Sequence, residues 1–306
     1  MSKRKGANPW LVALAAMVLA GGCIYHNSGS RRAVPRGAEV AEASAADGHE
    51  GRSLQGDGRQ GDGRQGGGLP ASGDDSAAAD SCLTFAMPVT PRGVPEQILR
   101  NEAYVSSFNN TTLMPNWVAW RLTAAHASGK VERGDMKFTP DDRVGERWRV
   151  TTYDYMRSGF DRGHMCPAGD NKWSEEAMRQ CFLLTNICPQ DHGLNVGDWN
   201  EMENQCRRWA KEYGEIYVVC GPVLYRGRHR RIGREHKVTV PEAFFKVVLC
   251  VKGDPWAVGL IYKNADGDRP KGDYQNSIGD IERITGLRFF PRMPEKVREN
   301  LRTMAL

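Results

Sequence analysis

The sequence predicts an α+β domain over residues 83–306, with a central, mostly antiparallel sheet flanked by helices. Three observations carry this. Strand-like runs cluster around separate helical segments instead of alternating regularly with them. The apolar runs at 243–251 and 256–262 are separated only by Lys252-Gly253-Asp254-Pro255, a turn that makes them a hairpin. The segment is also long enough to enclose one sizeable core.

From residue 1, Met1-Ser2-Lys3-Arg4-Lys5 is a basic lead-in, residues 10–20 are apolar, and Ala20-Gly21-Gly22 supplies small residues for cleavage. Residues 1–23 therefore read as an export signal, too short for a span of about 20 apolar residues. Leu19-Ala20-Gly21-Gly22-Cys23 is similar to a bacterial lipoprotein processing site, although Leu19 stands one residue further from the cysteine than usual. Ordinary secretion and an uncleaved anchor are the alternatives. The expected location is the periplasm, cell envelope or extracellular space, with Cys23 as a lipid tie to a membrane. Residues 24–82 are rich in Gly, Ala, Ser, Asp and Arg and repeat Gln-Gly-Asp-Gly-Arg. They hold too little apolar surface to offset chain entropy and read as a disordered tether.

Within the domain, residues 116–122 read as a strand and residues 147–150 as a weaker one. Ser174-Glu175-Glu176 opens a short helix with carboxylates in its first turn. Residues 216–220 form a β-branched strand that Gly221-Pro222 should stop, and Ser277 with Asp280 makes a capping box for a helix closed by Gly286.

The chemistry concentrates in Asp161-Arg162-Gly163-His164 and the residues after it. His164 has the side chain whose ordinary pKa suits proton abstraction from water near neutrality, and Arg162 offers a planar fork that matches phosphate. A lone histidine is more often structural, and an Arg-Gly pair is usually a turn. Asn195, Trp199, Glu203 and Arg207 recur every four residues, so on a helix they share one face, with Asn195 at or before its first turn. Taken alone, that pattern equally describes a solvated face with a Glu203–Arg207 pair.

The order Asp161-Arg162-Gly163-His164, Thr185-Asn186-Ile187-Cys188-Pro189-Gln190, Leu194-Asn195, Trp199 and Glu203 resembles the DNA/RNA non-specific endonuclease family, a ββα-metal nuclease group. The likeness runs from about residue 116 to 287. It implies a ββα-metal fold, DNA and RNA as substrates, and 5′-phosphate and 3′-hydroxyl ends. It also implies His164 as general base, Asn195 as the sole direct protein ligand of Mg²⁺, with Mn²⁺ able to substitute, and Glu203 as a partner reached through metal-bound water. Asn186 would support the site, Arg162 and Arg207 would contact phosphate, and Arg133 would be a further phosphate contact. Members are often homodimers. Mg²⁺ sheds its waters reluctantly and is commonly held by one or two protein groups plus phosphate, so a single amide ligand is chemically coherent. A surface lipoprotein that binds nucleic acid without cutting it, and a cysteine-rich envelope protein with a structural role, are the competing readings.

Lys and Arg number 42 against 37 Asp and Glu, a formal net charge of +5, so a polyanionic partner is favoured only mildly. The run Arg226, Arg228, His229, Arg230, Arg231, Arg234 and Lys237 would attract nucleic acid non-specifically, or be a solvated loop. Besides Cys23, the chain has Cys82, Cys166, Cys181, Cys188, Cys206, Cys220 and Cys250, and in an exported protein these should form disulfides with at least one left over. A zinc site from Cys166, Cys181 and Cys188 beside His164 competes, against which stands the lack of any Cys-x-x-Cys pair. Trp173, Trp199 and Trp209 read as core residues or base-stacking groups.

Overall fold

The computed structural model describes Leu83, residues 86–265 and residues 271–303. The export signal, Cys23, the tether and Cys82 lie outside the described residues. The main sheet is built from β1 (Gln97–Arg100), β2 (Tyr104–Asn109), β3 (Met114–Thr123), β6 (Glu215–Val223), β9 (Ala243–Cys250), β10 (Trp256–Lys263) and β11 (Gln275–Asn276). These seven strands lie in the order β1-β2-β3-β6-β9-β10-β11, every neighbouring pair antiparallel. Two short ribbons stand apart from it: β4 (Asp161–His164) with β5 (Ile187–Gln190), and β7 (Arg231–Ile232) with β8 (Val238–Thr239). The longer helices among the described residues are α1 (Glu175–Cys181), α2 (Asn200–Tyr213), α3 (Ile278–Thr285) and α4 (Glu295–Thr303). The architecture is α+β, as the sequence predicts.

Period-two alternation on the central strands divides the core into two layers. Val118, Trp120 and Leu122 of β3, Ile216, Val218 and Cys220 of β6, and Phe244 and Val248 of β9 face one layer, against which α2 packs. Trp117, Ala119, Tyr217, Val219, Phe245 and Val247 face the other, closed by Ile278 and Ile281 of α3 and Leu301 of α4. Two helices, α1 and α3, start where the sequence predicts. Ser174 accepts a hydrogen bond from the Ala177 amide, Ser277 accepts one from the Asp280 amide, and Gly286 ends α3 with φ +73°.

Three local expectations are corrected. Residues 147–150 are not a strand; Glu146–Trp148 forms a 3₁₀ turn in which the Arg147 guanidinium lies 3.9 Å from the Trp148 ring centroid. Gly221-Pro222 does not stop β6, which continues to Val223. Beyond Cys220 the strand pairs with β9 but no longer with β3, a half-paired place that proline tolerates. Gly221 is required there because a Cβ would come within 2.6 Å of the Asn116 carbonyl oxygen. Finally, residues 195–207 are not one regular helix. A single turn at His192–Leu194 leads into a π-type turn, Asn195–Trp199, with Gly197 in a non-helical conformation (φ −93°, ψ −114°), and only then does α2 begin.

Candidate active site

The β4–β5 ribbon and the helical segment after it hold the chemistry. Gly163 pairs with Cys188 across the ribbon and sits over the Gln190 side chain: a Cβ here would lie 2.2 Å from Gln190 Oε1 and 2.6 Å from its Cβ. The glycine of the motif is therefore needed for close approach between the strands, not for a turn. His164 follows at the end of β4, its ring between Phe138 and Phe182 at centroid distances of 5.2 and 5.1 Å. Its backbone carbonyl accepts a hydrogen bond from Trp199 Nε1 at 3.3 Å. The imidazole Nε2 is sealed from solvent and has no hydrogen-bond partner within the protein. Burial first, then the Arg133 and Arg162 guanidiniums, pull its pKa down to about 3. The ring is neutral at physiological pH, the state a general base needs.

His164 opens onto a cavity of about 660 Å³ that Arg133, Asp161, Arg162 and Asn195 also line. Sequence reasoning separated the imidazole and the Asn195 amide by thirty residues of chain; the fold brings both to one wall. Asn195 Nδ2 donates to Asp161 Oδ2 at 2.9 Å, and His192 Nδ1 lies 2.9 Å from the same oxygen. With Nδ2 engaged, Asn195 has only its Oδ1 to offer a cation, an orientation fixed by its neighbour as is usual around metal ligands. The Arg162 guanidinium lies 4.6 Å from the Phe138 ring centroid and that of Arg133 5.0 Å from Phe182. Among the described residues no group of three or more His, Cys, Asp or Glu is placed to hold a metal. That donor set does not suit the alternative zinc site; it fits a hard ion carried largely by water and substrate phosphate.

Glu203, Arg207 and Asn186 are not on the cavity wall. Asn186 is fully buried, and its Oδ1 accepts from the Cys166 amide while its Nδ2 donates to the Cys166 and Cys181 carbonyls, each at 2.9 Å. It ties the backbone just after His164 to the end of α1. Arg207 Nη1 donates to Asp170 at 2.7 Å and lies 4.0 Å from Glu203, and Trp120 Nε1 donates to the other Asp170 oxygen at 3.0 Å. Burial raises the Glu203 carboxyl to about 7, opposed by Lys246 and Arg207. Lys246 is fully buried in β9, its Nζ without a hydrogen-bond partner and 3.8 Å from the Trp199 ring centroid. Asp170 and Lys246 escaped the sequence reading. The signal for Lys246 was there, a lone charge inside the apolar run at 243–251.

The expected disulfides are absent among the described residues. Cys166, Cys181, Cys188, Cys206, Cys220 and Cys250 are all free and buried. They behave as small apolar core groups. Burial pushes the Cys206 thiol up to about 12, and the Asn171 amide donates to both Cys166 Sγ at 3.4 Å and Cys181 Sγ at 3.0 Å. Of the three tryptophans, Trp199 and Trp209 are core residues, while Trp173 is partly exposed and stacks on His126.

Residues 84–296 match the model of the DNA/RNA non-specific endonuclease family. The chain belongs to that family. Relatives within it include the mitochondrial nuclease EXOG of Danio rerio, 36% identical over 69% of this chain and 67% of the relative. EXOG of Homo sapiens is 34% identical over 72% and 63%, and human mitochondrial endonuclease G 33% identical over 64% and 70%. This chain thus spans roughly two thirds of the length of these curated nucleases. A crystal structure of endonuclease G in complex with its inhibitor EndoGI superposes with TM-score 0.66 at 27% identity, covering 74% of this chain and 96% of that one. The shared architecture is the ββα-metal nuclease fold. The comparisons overturn the expected export and lipid anchor at Cys23: the zebrafish, human, fission-yeast and budding-yeast relatives are named as mitochondrial nucleases.

Proposed function

We propose that this protein is a metal-dependent endonuclease that hydrolyses phosphodiester bonds of DNA and RNA. The observation that carries the reading is the His164 imidazole lining the same cavity as the Asn195 amide and the Arg133 and Arg162 guanidiniums. The His164 imidazole takes the proton from the attacking water through the ring edge that faces the cavity. Arg162 and Arg133 hold the substrate phosphate, and Asp161 fixes the Asn195 amide so that its oxygen is the protein's ligand for Mg²⁺, or Mn²⁺ in its place. The bound ion would offset the charge that develops on the phosphate and its departing oxygen. Asn186 acts as a scaffold for the strand carrying the base. Glu203 and Arg207 support the site from the buried layer with Asp170. Because these groups address phosphate and metal, sequence preference should be weak.

The full chain, incubated with supercoiled plasmid or with RNA in Mg²⁺, should cut both, and chelator should stop it. His164→Ala should be inactive yet retain plasmid in a gel-shift assay. Intact nucleic acid in Mg²⁺ and Mn²⁺ alike, together with retention, would replace the enzyme with a binding protein.

A further inference from the structure

The lip of the catalytic cavity carries a feature that phosphate chemistry leaves unused. Along Thr152–Tyr155 and the turn after it, two buried anchors are flanked by exposed side chains. Asp154 is buried and accepts hydrogen bonds from the Thr151 amide at 3.0 Å, the Thr151 hydroxyl at 3.1 Å and the His236 amide at 3.1 Å. Tyr155 is buried as well, its hydroxyl donating to the Ile187 carbonyl of β5. Before and after them, Tyr153 is 71% exposed and Met156 56% exposed, and both line the cavity that His164 and Asn195 share. Arg157 takes φ +55°, a conformation a non-glycine residue holds only when its surroundings impose it. Arg230 pins the far side of the turn, donating to the Ser158 carbonyl at 3.1 Å with its guanidinium 4.7 Å from the Phe160 centroid.

A large ring and a thioether held out into water on a backbone fixed from below, beside guanidiniums suited to phosphate, match one class of ligand. We propose that Tyr153, with Met156 beside it, is a stacking subsite for an unpaired nucleobase next to the scissile phosphate. This rests on the nuclease reading of the same cavity. Every base has a π-face, so the subsite is indifferent to sequence, while a base stacked and paired within a duplex cannot present that face without unstacking. The subsite thus favours single-stranded DNA or RNA over duplex.

The test uses the full chain and one labelled oligonucleotide, single-stranded and annealed to its complement. Tyr153→Ala should lower kcat/KM on the single strand about tenfold, the loss expected from removing one base–aromatic stack, and shift duplex cleavage by less than about twofold. Tyr153→Phe keeps the ring and should retain the wild-type ratio of single-strand to duplex cleavage. Equal losses on both substrates, no loss on either, or a Tyr153→Phe defect as large as that of Tyr153→Ala would overturn the subsite. Fluorescence anisotropy in the His164→Ala background reads single-strand affinity without turnover. If the wild type cuts nothing, the nuclease reading fails, and weaker single-strand binding on adding Tyr153→Ala would still support the stacking site, whereas unchanged binding would remove it.

Discussion

Replacing Gly163 by alanine probes the contact that sets the ribbon's spacing. The added Cβ would lie 2.2 Å from Gln190 Oε1 and 2.6 Å from Gln190 Cβ, short of the 3.4 Å where ordinary contact begins by about 1.2 and 0.8 Å. The amide end can swing aside, but the Gln190 Cβ is fixed to β5, so the strands must part by several tenths of an ångström. Overpacking of this kind costs about 1–3 kcal/mol of stability. His164 is the next residue, and a misplacement on the order of 1 Å at a reacting group lowers turnover by roughly 10²-fold. Gly163→Ala should therefore lower the urea midpoint and cut plasmid hydrolysis at saturating substrate by that order. Gln190→Ala still leaves a Cβ at the offending position, whereas Gln190→Gly removes it. The double variant Gly163→Ala with Gln190→Gly should then be more active than Gly163→Ala alone, a coupling that a double-mutant cycle measures. A fully active Gly163→Ala protein, or a double variant showing no coupling, would refute the steric account.

Four further outcomes follow from the same geometry. His164→Ala should lose roughly 10²–10⁴-fold in turnover, checked by initial rates on plasmid, with affinity for DNA nearly unchanged. Because His164 drops from an ordinary 6.5 to about 3 in the folded protein, the unfolded chain binds the proton more readily between those values. Its contribution to stability is complete above pH 6.5 and is lost as pH falls towards 3. Urea midpoints should accordingly fall less steeply with acid in His164→Gln than in wild type. Lys246→Met removes the buried charge that lowers the Asp170 and Glu203 pKa values and should lower the urea midpoint at neutral pH. Adding Glu203→Gln should recover part of that loss. Changing Arg226, Arg228 and Arg234 together should flatten the salt dependence of DNA binding measured by anisotropy, and an unchanged slope would exclude this face from substrate contact.

The parts of the fold legible in the sequence were those governed by local rules. Ser174, Ser277 and Gly286 mark helix ends because capping acts over a few residues, and β9–β10 announced itself through two apolar runs and a tight turn. The motif residues His164, Asn195 and Arg162 were legible as chemistry, but their meeting in one cavity was not, since nothing local brings β4 to the π-type turn. The four-residue spacing of Asn195, Trp199, Glu203 and Arg207 suggested one shared helix face with Asn195 at or before the first turn; Asn195 does precede α2, but the break at Gly197 takes it off the face that Glu203 and Arg207 share. The Asp170–Arg207 pair was illegible because its partners are thirty-seven residues apart and only tertiary packing joins them. Cysteine count misled for a different reason: six thiols in an apolar core need no bridges, and composition does not tell burial from crosslinking.

The widened turn at Asn195–Trp199 has a mechanical consequence. Freed from the regular hydrogen-bond ladder of α2, the Asn195 side chain takes its bearing from Asp161, three residues before His164 on the same short strand. The Asn195 amide and the His164 imidazole thus take their places from a single ribbon, and the break at Gly197 separates both from the regular part of α2.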